Sequence, residues 1–448
     1  MAAKAAKPHK PIGDHPASRM PPPQGALNLA MQHHMAGRLA EAEQVYQQIL
    51  LTDPDQPDAL TLLGLIAHQA GQNDVAVDLI SKALAIKPDH PLAHLNLGNA
   101  LKALGKPNEA VNSYRKALAI KPGYVDALSN LGIALKELGQ LDEAVASYRQ
   151  AIALKPDYAE AHNNLGNALK DLGKLNEAEE SYRLATTFKT DFALAYQNRA
   201  DVLRTLGRID ETIACFQKAL AINPDLSGAR HSLNALQGLT PDSPPPQFVA
   251  DLFDQYAYRF EHELVNNLKY KMPALLKQAL VDLGFAQTKY DNVVDLGCGT
   301  GLVAIEFRDL AATLTGIDVS KNMIHEAEAK GLYDRLLIDD LVGGLKHIND
   351  QIDLFIAADV FIYVGDLQAT FEAVRASAAP NALLVFSTEH TEATDAFVLQ
   401  DSIRYAHARA YIEALAGKFG FQVVHFDRTN VRKEKGACIP GGIYVLQC

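Results

Sequence analysis

The chain has 448 residues, 48% hydrophobic and 21% charged. This is the make-up of a globular protein with apolar surface for more than one core, which excludes a wholly disordered chain. A net charge of −11 argues against a general nucleic-acid binder or an anionic-membrane binder.

The opening "MAAKAAKPHKPIGDHPASRMPPP" holds lysines and prolines but no apolar stretch, so residues 1–22 read as a disordered tail and not a secretory signal. No run of about 18 apolar residues occurs, and no membrane span is expected. Cys215, Cys298, Cys438 and Cys448 lack paired spacing, which offers neither a disulfide framework nor a zinc site. The 15 histidines show no ligand spacing, so no metal is expected. A cytoplasmic location follows from these readings.

Residues 91–124, "PLAHLNLGNALKALGKPNEAVNSYRKALAIKPGY", recur nearly unchanged in the next two blocks of 34. The period yields six units over 23–226. Small residues recur at Gly64, Gly98, Gly132, Gly166 and Ala200, where one helix must approach another. Rings recur at Tyr46, Tyr114, Tyr148, Tyr182 and Phe216, and prolines close units at Pro54, Pro88, Pro122, Pro156 and Pro224. The pattern resembles the tetratricopeptide repeat, a helix–turn–helix unit that buries its apolar face only by stacking. With "LSGARHSLNALQ" as a capping helix, the repeat domain is predicted to span 23–240.

One position of each first helix reads Asn96, Asn130, Asn164 and Asn198; six residues on come Lys102, Lys136, Lys170 and Arg204. An amide row can bond both N–H and C=O of an extended peptide, and the cations favour acidic segments or a carboxylate. These eight residues are the predicted peptide-binding set, with inter-repeat bonding as the alternative. A protein or peptide partner is expected, and repeat arrays also support a homodimer.

"GLTPDSPPPQ" ends the period, and its prolines predict a stiff linker over 241–249. Aromatic-rich helices follow, with Tyr256, Phe260 and Tyr270. From Asp291 onward, short apolar runs ("NVVDL", "ATLTGIDV", "RLLID", "IDLFIAA", "ALLVFS", "FQVVHF", "GIYVLQ") alternate with helical stretches. Alternation predicts a doubly wound, largely parallel α/β sheet over 250–448. The loop "DRTNVRKEKGACIPG" before the last run suits an antiparallel final strand.

Gly297, Gly299 and Gly301 in "VVDLGCGTG" fall at the first strand-to-helix turn, where a doubly wound sheet binds its ligand. The third glycine comes one residue earlier than in the dinucleotide fingerprint, and Asp295 would oppose a pyrophosphate. A cationic ligand suits it better.

The stretch resembles the first motif of class I methyltransferases dependent on S-adenosylmethionine. Together with "FDQYAYRFEHELV", "GIDVSKNMIHEAEAKGLYD", "AADVFIYVGDL", "RYAHARAYI" and "VRKEKG", the chain resembles bacterial methyltransferases that carry tetratricopeptide repeats. The resemblance implies S-adenosyl-L-methionine as cofactor and S-adenosyl-L-homocysteine as product. It implies backbone contact at Gly297, Gly299 and Gly301, and Asp295 near the amino group. Asp318 would hold the ribose hydroxyls, Met323 would pack on the adenine and Asp340 would meet its amine, with Asp339 as the alternative; Val319, Leu341 and Asp359 complete the implied cofactor-binding set. Tyr256 and Tyr270 either close over the cofactor or pack as core rings. Methyl transfer to an oxygen or nitrogen acceptor needs in-line positioning and, for most acceptors, a proton acceptor. Candidates beyond the strand ends are Asp359, His390, Tyr405 and His407, then Tyr363, Glu389, Arg432 and Glu434. Alternatives are a small-metabolite or glycan acceptor with the repeats as scaffold, and a non-catalytic peptide-binding scaffold.

Overall fold

A computed structural model describes residues 23–245, 247–261, 270–287, 289–393, 396–434 and 437–448; residues 1–22 lie outside them. The chain divides between Leu206 and Gly207 into two compact units.

The first unit is built of antiparallel helix pairs and ends on α11, which packs on α10. These are α1 (Pro23–Met35) with α2 (Leu39–Thr52), α3 (Pro57–Gln69) with α4 (Asn73–Ile86), α5 (Pro91–Ala103) with α6 (Pro107–Ile120), α7 (Val125–Glu137) with α8 (Leu141–Leu154), α9 (Ala159–Asp171) with α10 (Leu175–Phe188), and α11 (Ala193–Thr205). Proline occupies the first turn of α3, α5 and α6, where its missing N–H costs no bond. The periodic small residues sit at the predicted close approaches: a Cβ at Gly98 would stand 2.4 Å from the Tyr114 ring, and one at Gly132 2.6 Å from Tyr148. Tyr114, Tyr148 and Tyr182 are fully buried in one cluster that runs through successive pairs, so each repeat completes its neighbour's core.

The second unit opens with α12 (Ile209–Ile222), α13 (Ser227–Leu236), α14 (Phe248–Glu261) and α15 (Met272–Asp282). Its strands are β1 (Tyr290–Leu296), β2 (Ala311–Asp318), β3 (Arg335–Ile338), β4 (Ile352–Ala357), β5 (Ala378–His390), β6 (Phe397–Leu399), β7 (Tyr405–His407), β8 (Gln422–Glu434) and β9 (Ala437–Gln447). Parallel pairing orders them β3-β2-β1-β4-β5; β9 lies antiparallel beside β5, with β8 outside it. The antiparallel last strand is as expected. The stretch read as a loop before it is instead most of a long β8–β9 hairpin, and β6 and β7, unforeseen, extend the sheet from the far end of β5.

Alternate residues of the strands feed two cores. Val294, Leu296, Phe355 and Phe386 pack with α19 (Gln368–Ser377) and α20 (Arg409–Phe419). Val293, Leu354, Ile356 and Val385 pack with α15 and α16 (Leu302–Phe307). Both faces are covered, as parallel sheets require.

The expected capping helix and proline-rich linker pack within this second unit. In α13, His231 Nε2 lies 3.1 Å from Ile403 O, its ring is 4.4 Å from that of Phe248, and Ala235 joins Leu399 and Tyr405 in one cluster. Thr240 Oγ1 accepts from Leu399 N at 3.2 Å, and Asp242 O accepts from Asp366 N at 2.6 Å. Residues 239–245 thus form a strap held at both edges.

Candidate active site

The tips of β1, β2 and β4 enclose a cavity of about 420 Å³. The glycine turn between β1 and α16 supplies its floor. Gly297 takes φ +70°, and a Cβ there would stand 2.6 Å from Val360. The N–H groups of Gly297 and Cys298 both donate to Ile317 O, at 2.8 and 2.9 Å, tying the turn to β2. Gly301 does not reach the cavity. Its φ of +90° starts α16, and a Cβ there would press on the Tyr333 ring at 3.1 Å, so the third glycine serves backbone shape and ring packing.

Asp318 ends β2 almost wholly buried. Its Oδ2 accepts from Gly299 N at 2.9 Å and its Oδ1 from Ser320 N at 2.8 Å. Burial raises its carboxyl above the usual range while these N–H groups pull it down. Each oxygen keeps a lone pair for an outside donor. Val319, before α17 (Lys321–Lys330), and Met323, within it, also face the cavity. Asp340 lines it with Leu341 and caps α18 (Leu341–Lys346) through Gly343 N at 2.7 Å, so cap and wall roles coincide. Asp339 turns instead to His347, at 3.1 Å.

Asp295 lies behind the turn, fully buried. Its Oδ2 accepts from Tyr333 OH at 2.6 Å, and its Oδ1 has no partner. Burial pushes its carboxyl up to about 7, against the pull of the Tyr333 hydroxyl.

Asp359, one residue beyond Ala358 at the β4 tip, lines the cavity in a left-handed conformation, φ +57°. Its N–H donates to Ser387 Oγ at 2.8 Å, and Ser387 Oγ donates to its Oδ1 at 2.7 Å. Tyr270 faces the same space, its hydroxyl 3.5 Å from Ala358 O. Tyr363 lines it too, edge-on to Phe253 with centroids 5.0 Å apart. Tyr256 and Phe260 fall on α14, but their side chains lie outside the described residues, as do those of Arg432 and Glu434 on β8.

The other acid–base candidates are not on the cavity wall. Tyr405 is fully buried against α13 and Phe397, and burial raises its hydroxyl. His407 is fully buried with Nε2 2.9 Å from Gly365 O; burial lowers it to about 4. Both sit on the short β7, where Tyr405 packs against α13 and His407 stacks on Tyr411 of α20. His390 is half-buried at the end of β5, its pKa lowered by burial and by Arg428. Glu389 is buried and pairs with Arg404 at 2.7 Å.

Sequence reasoning missed several wall residues: Ser243, Pro244 and Pro245 of the strap, and Val249 and Phe253 of α14. It also missed Asp254, which accepts from Ser320 Oγ at 2.6 Å and from Asn322 N at 3.2 Å and so fastens α14 over α17. A proline triplet signals a spacer whether it hangs free or forms a wall.

In the first unit the amides are partly engaged between repeats. Asn130 donates to Asn99 Oδ1 at 2.9 Å and Asn198 to Asn163 Oδ1 at 3.0 Å, while Asn96 is buried and Asn164 half-buried. Lys102, Lys136, Lys170 and Arg204 are half-buried, and Lys136 pairs with Asp171 at 3.1 Å.

Models of the tetratricopeptide repeat match residues 29–91, 159–192 and 193–226, and a further repeat model matches 98–139 and 134–173. A methyltransferase-domain model matches 268–426. The ubiquinone biosynthesis O-methyltransferase of Rhodopseudomonas palustris (strain BisA53) is 32% identical over 22% of this chain and 39% of its own length. Protein N-lysine methyltransferase METTL21A of Danio rerio is 28% identical over 33% of this chain and 66% of its own. The crystal structure of MamA is 28% identical at a TM-score of 0.35, covering 36% of this chain and 95% of that one. The chain spans 22% to 66% of the length of the curated relatives it matches. The chain carries tetratricopeptide repeats within 29–226 and a methyltransferase domain over 268–426.

Proposed function

We propose that this protein transfers a methyl group from S-adenosyl-L-methionine to a nitrogen or oxygen acceptor on a protein or peptide held by the repeats. The observation that carries the cofactor assignment is the cavity itself, bare at Gly297 and Gly299 and bounded by Asp318. The residues fit such a ligand. Asp318 retains two lone pairs for a ribose diol, the Gly297 and Gly299 walls admit close backbone approach, and the buried Asp295 Oδ1 lacks a partner. When bound, the cofactor supplies an electrophilic methyl on a sulfonium.

The chain's own part is positioning. Asp318 and the glycine turn orient the nucleoside end, Asp340 and Leu341 border the base, and Tyr270 and Phe253 exclude water near the β4 tip. Asp359, held by Ser387, is the carboxylate placed to take a proton or face a developing cation.

Residual amide capacity supports the peptide reading: Asn130 and Asn198 each keep an N–H and an oxygen beyond their inter-repeat bonds. Linking a peptide groove to the catalytic unit raises the acceptor's effective concentration. The name of the zebrafish relative, a protein N-lysine methyltransferase, agrees with a protein acceptor. A second reading, a small-molecule acceptor, is favoured by the apolar cavity wall and by the name of the ubiquinone-pathway relative.

Incubating the full-length protein with methyl-labelled cofactor and a cell lysate separates them. Label should enter protein and fall several-fold in a triple Asn130→Ala, Asn164→Ala, Asn198→Ala variant. Label confined to small molecules, at a rate equal in both proteins, would overturn the peptide reading.

A further inference from the structure

Ser320 is fully buried between β2 and α17. Its N–H donates to Asp318 Oδ1 at 2.8 Å, and its hydroxyl oxygen accepts from Met323 N at 3.1 Å. Asp318 and Met323 both line the cavity, so one serine ties the strand-end acid to the first turn of α17. A hydroxyl has a single hydrogen to give. Here it goes to Asp254 Oδ1 at 2.6 Å, on α14, 66 residues earlier in the chain.

We propose that Asp254 is a positioning residue for the cofactor: acting through Ser320, it fixes Asp318 and Met323 and thereby sets how tightly the nucleoside is held. This rests on the S-adenosylmethionine reading above and adds to it a residue that does not itself line the cavity.

Three observations carry it. First, the bond from Ser320 to Asp254 has the short length of a charge-assisted hydroxyl–carboxylate pair. A hydroxyl released from Asp254 would need another acceptor, and the carboxylate that the Ser320 N–H already bonds is Asp318. Such a bond would consume a lone pair that a ribose diol requires. Second, Asp254 is itself held in place at the start of α17. Its Oδ1 also accepts from Asn322 N at 3.2 Å, and its backbone oxygen accepts from Asn322 Nδ2 at 2.9 Å. Third, α14 brings Val249 and Phe253 to the same cavity, so loss of the Asp254 bond would loosen wall and acid together.

The far end of α14 is tied separately. Lys330 Nζ pairs with Glu261 and donates to Thr300 O at 2.6 Å. That tie does not run through Ser320, so it distinguishes helix docking from a link to Asp318.

Titration calorimetry of the full-length protein with S-adenosylhomocysteine tests the link by a double-mutant cycle. Asp254→Ala should weaken binding about 10-fold. Ser320→Ala should lose at least as much, and it reports on the same link if Asp254→Ala does not fold. The double variant should bind no more weakly than Ser320→Ala alone, because both changes remove one bond. Asp254→Asn, whose amide oxygen still accepts the serine hydrogen, should bind within about 3-fold of wild type. Glu261→Gln should change binding by less than about 2-fold. Wild-type affinity in Asp254→Ala or Ser320→Ala would overturn the inference. So would losses that multiply in the double variant, no recovery in Asp254→Asn, or an equal loss in Glu261→Gln. A wild-type protein that binds no S-adenosylhomocysteine would instead overturn the cofactor reading itself.

Discussion

At the scale of single residues, near-identical repeats differ in instructive places. Tyr114 OH donates to Asn99 at 2.8 Å and Tyr182 OH to Asn167 at 2.7 Å. Tyr148, in the same role, finds Ile133 where its partners would be, and its buried hydroxyl is unpartnered. Tyr114→Phe should therefore cost about 1 kcal/mol, while Tyr148→Phe should be neutral or stabilising in chemical denaturation. Equal losses at both sites would contradict this. Asp295 makes the matching point about function. An unfolded aspartate titrates near about 3.9, and burial raises Asp295 to about 7. Between those values the folded chain holds a proton that the unfolded chain has released, so this group's contribution to stability falls as pH rises from about 4 to 7. Asp295→Asn should raise the melting temperature by a few degrees at pH 8 and barely change it at pH 4. A variant less stable than wild type at pH 8 would count against an uncompensated buried carboxylate. The Gly297 and Asp318 signals were legible from sequence because a bare turn and a strand-end acid are local features. Tyr333 was not, since its link to Asp295 spans 38 residues.

At the scale of elements, what repeats or alternates locally could be read, and what depends on a distant partner could not. The helix pairs of the first unit follow from a 34-residue period in small, aromatic and proline positions. Substituting Gly132 by Val should destabilise by several kcal/mol, because its side chain must enter space held by the Tyr148 ring. Little change in denaturation midpoint would refute that packing. Residues 427–441 of the β8–β9 hairpin were read as a loop between two strands because the polar run "DRTNVRKE" carries no continuous apolar signal; pairing with β9 decides its state. Tyr405 and His407 drew attention as polar groups near strand ends. Their three-residue strand exists through pairing with β5 and β6, and packing against α13 for Tyr405 and against Tyr411 for His407 takes them off the cavity wall.

At the scale of the whole molecule, the two compact units do not part at the proline-rich stretch. We propose that the catalytic domain begins near Ser227, after the last matched repeat, since α13 and the strap contribute contacts and wall residues to it. A chain lacking 1–206 should keep cofactor binding. One lacking 1–245 should melt roughly 5 °C lower or more, as each kcal/mol moves a domain of this size by about 2–4 °C. Identical melting of both truncations would contradict the proposal. Among the described residues no helix is long and apolar enough to cross a membrane.

The central claim is that the crevice over β1 and β2 holds a sulfonium nucleoside gripped by Asp318. Titration calorimetry of the full-length protein with S-adenosylmethionine tests it most directly. One site per chain is expected in the wild type, weakened about 10- to 100-fold by Asp318→Ala. No heat at millimolar ligand, or saturable binding of a nicotinamide dinucleotide in its place, would contradict it.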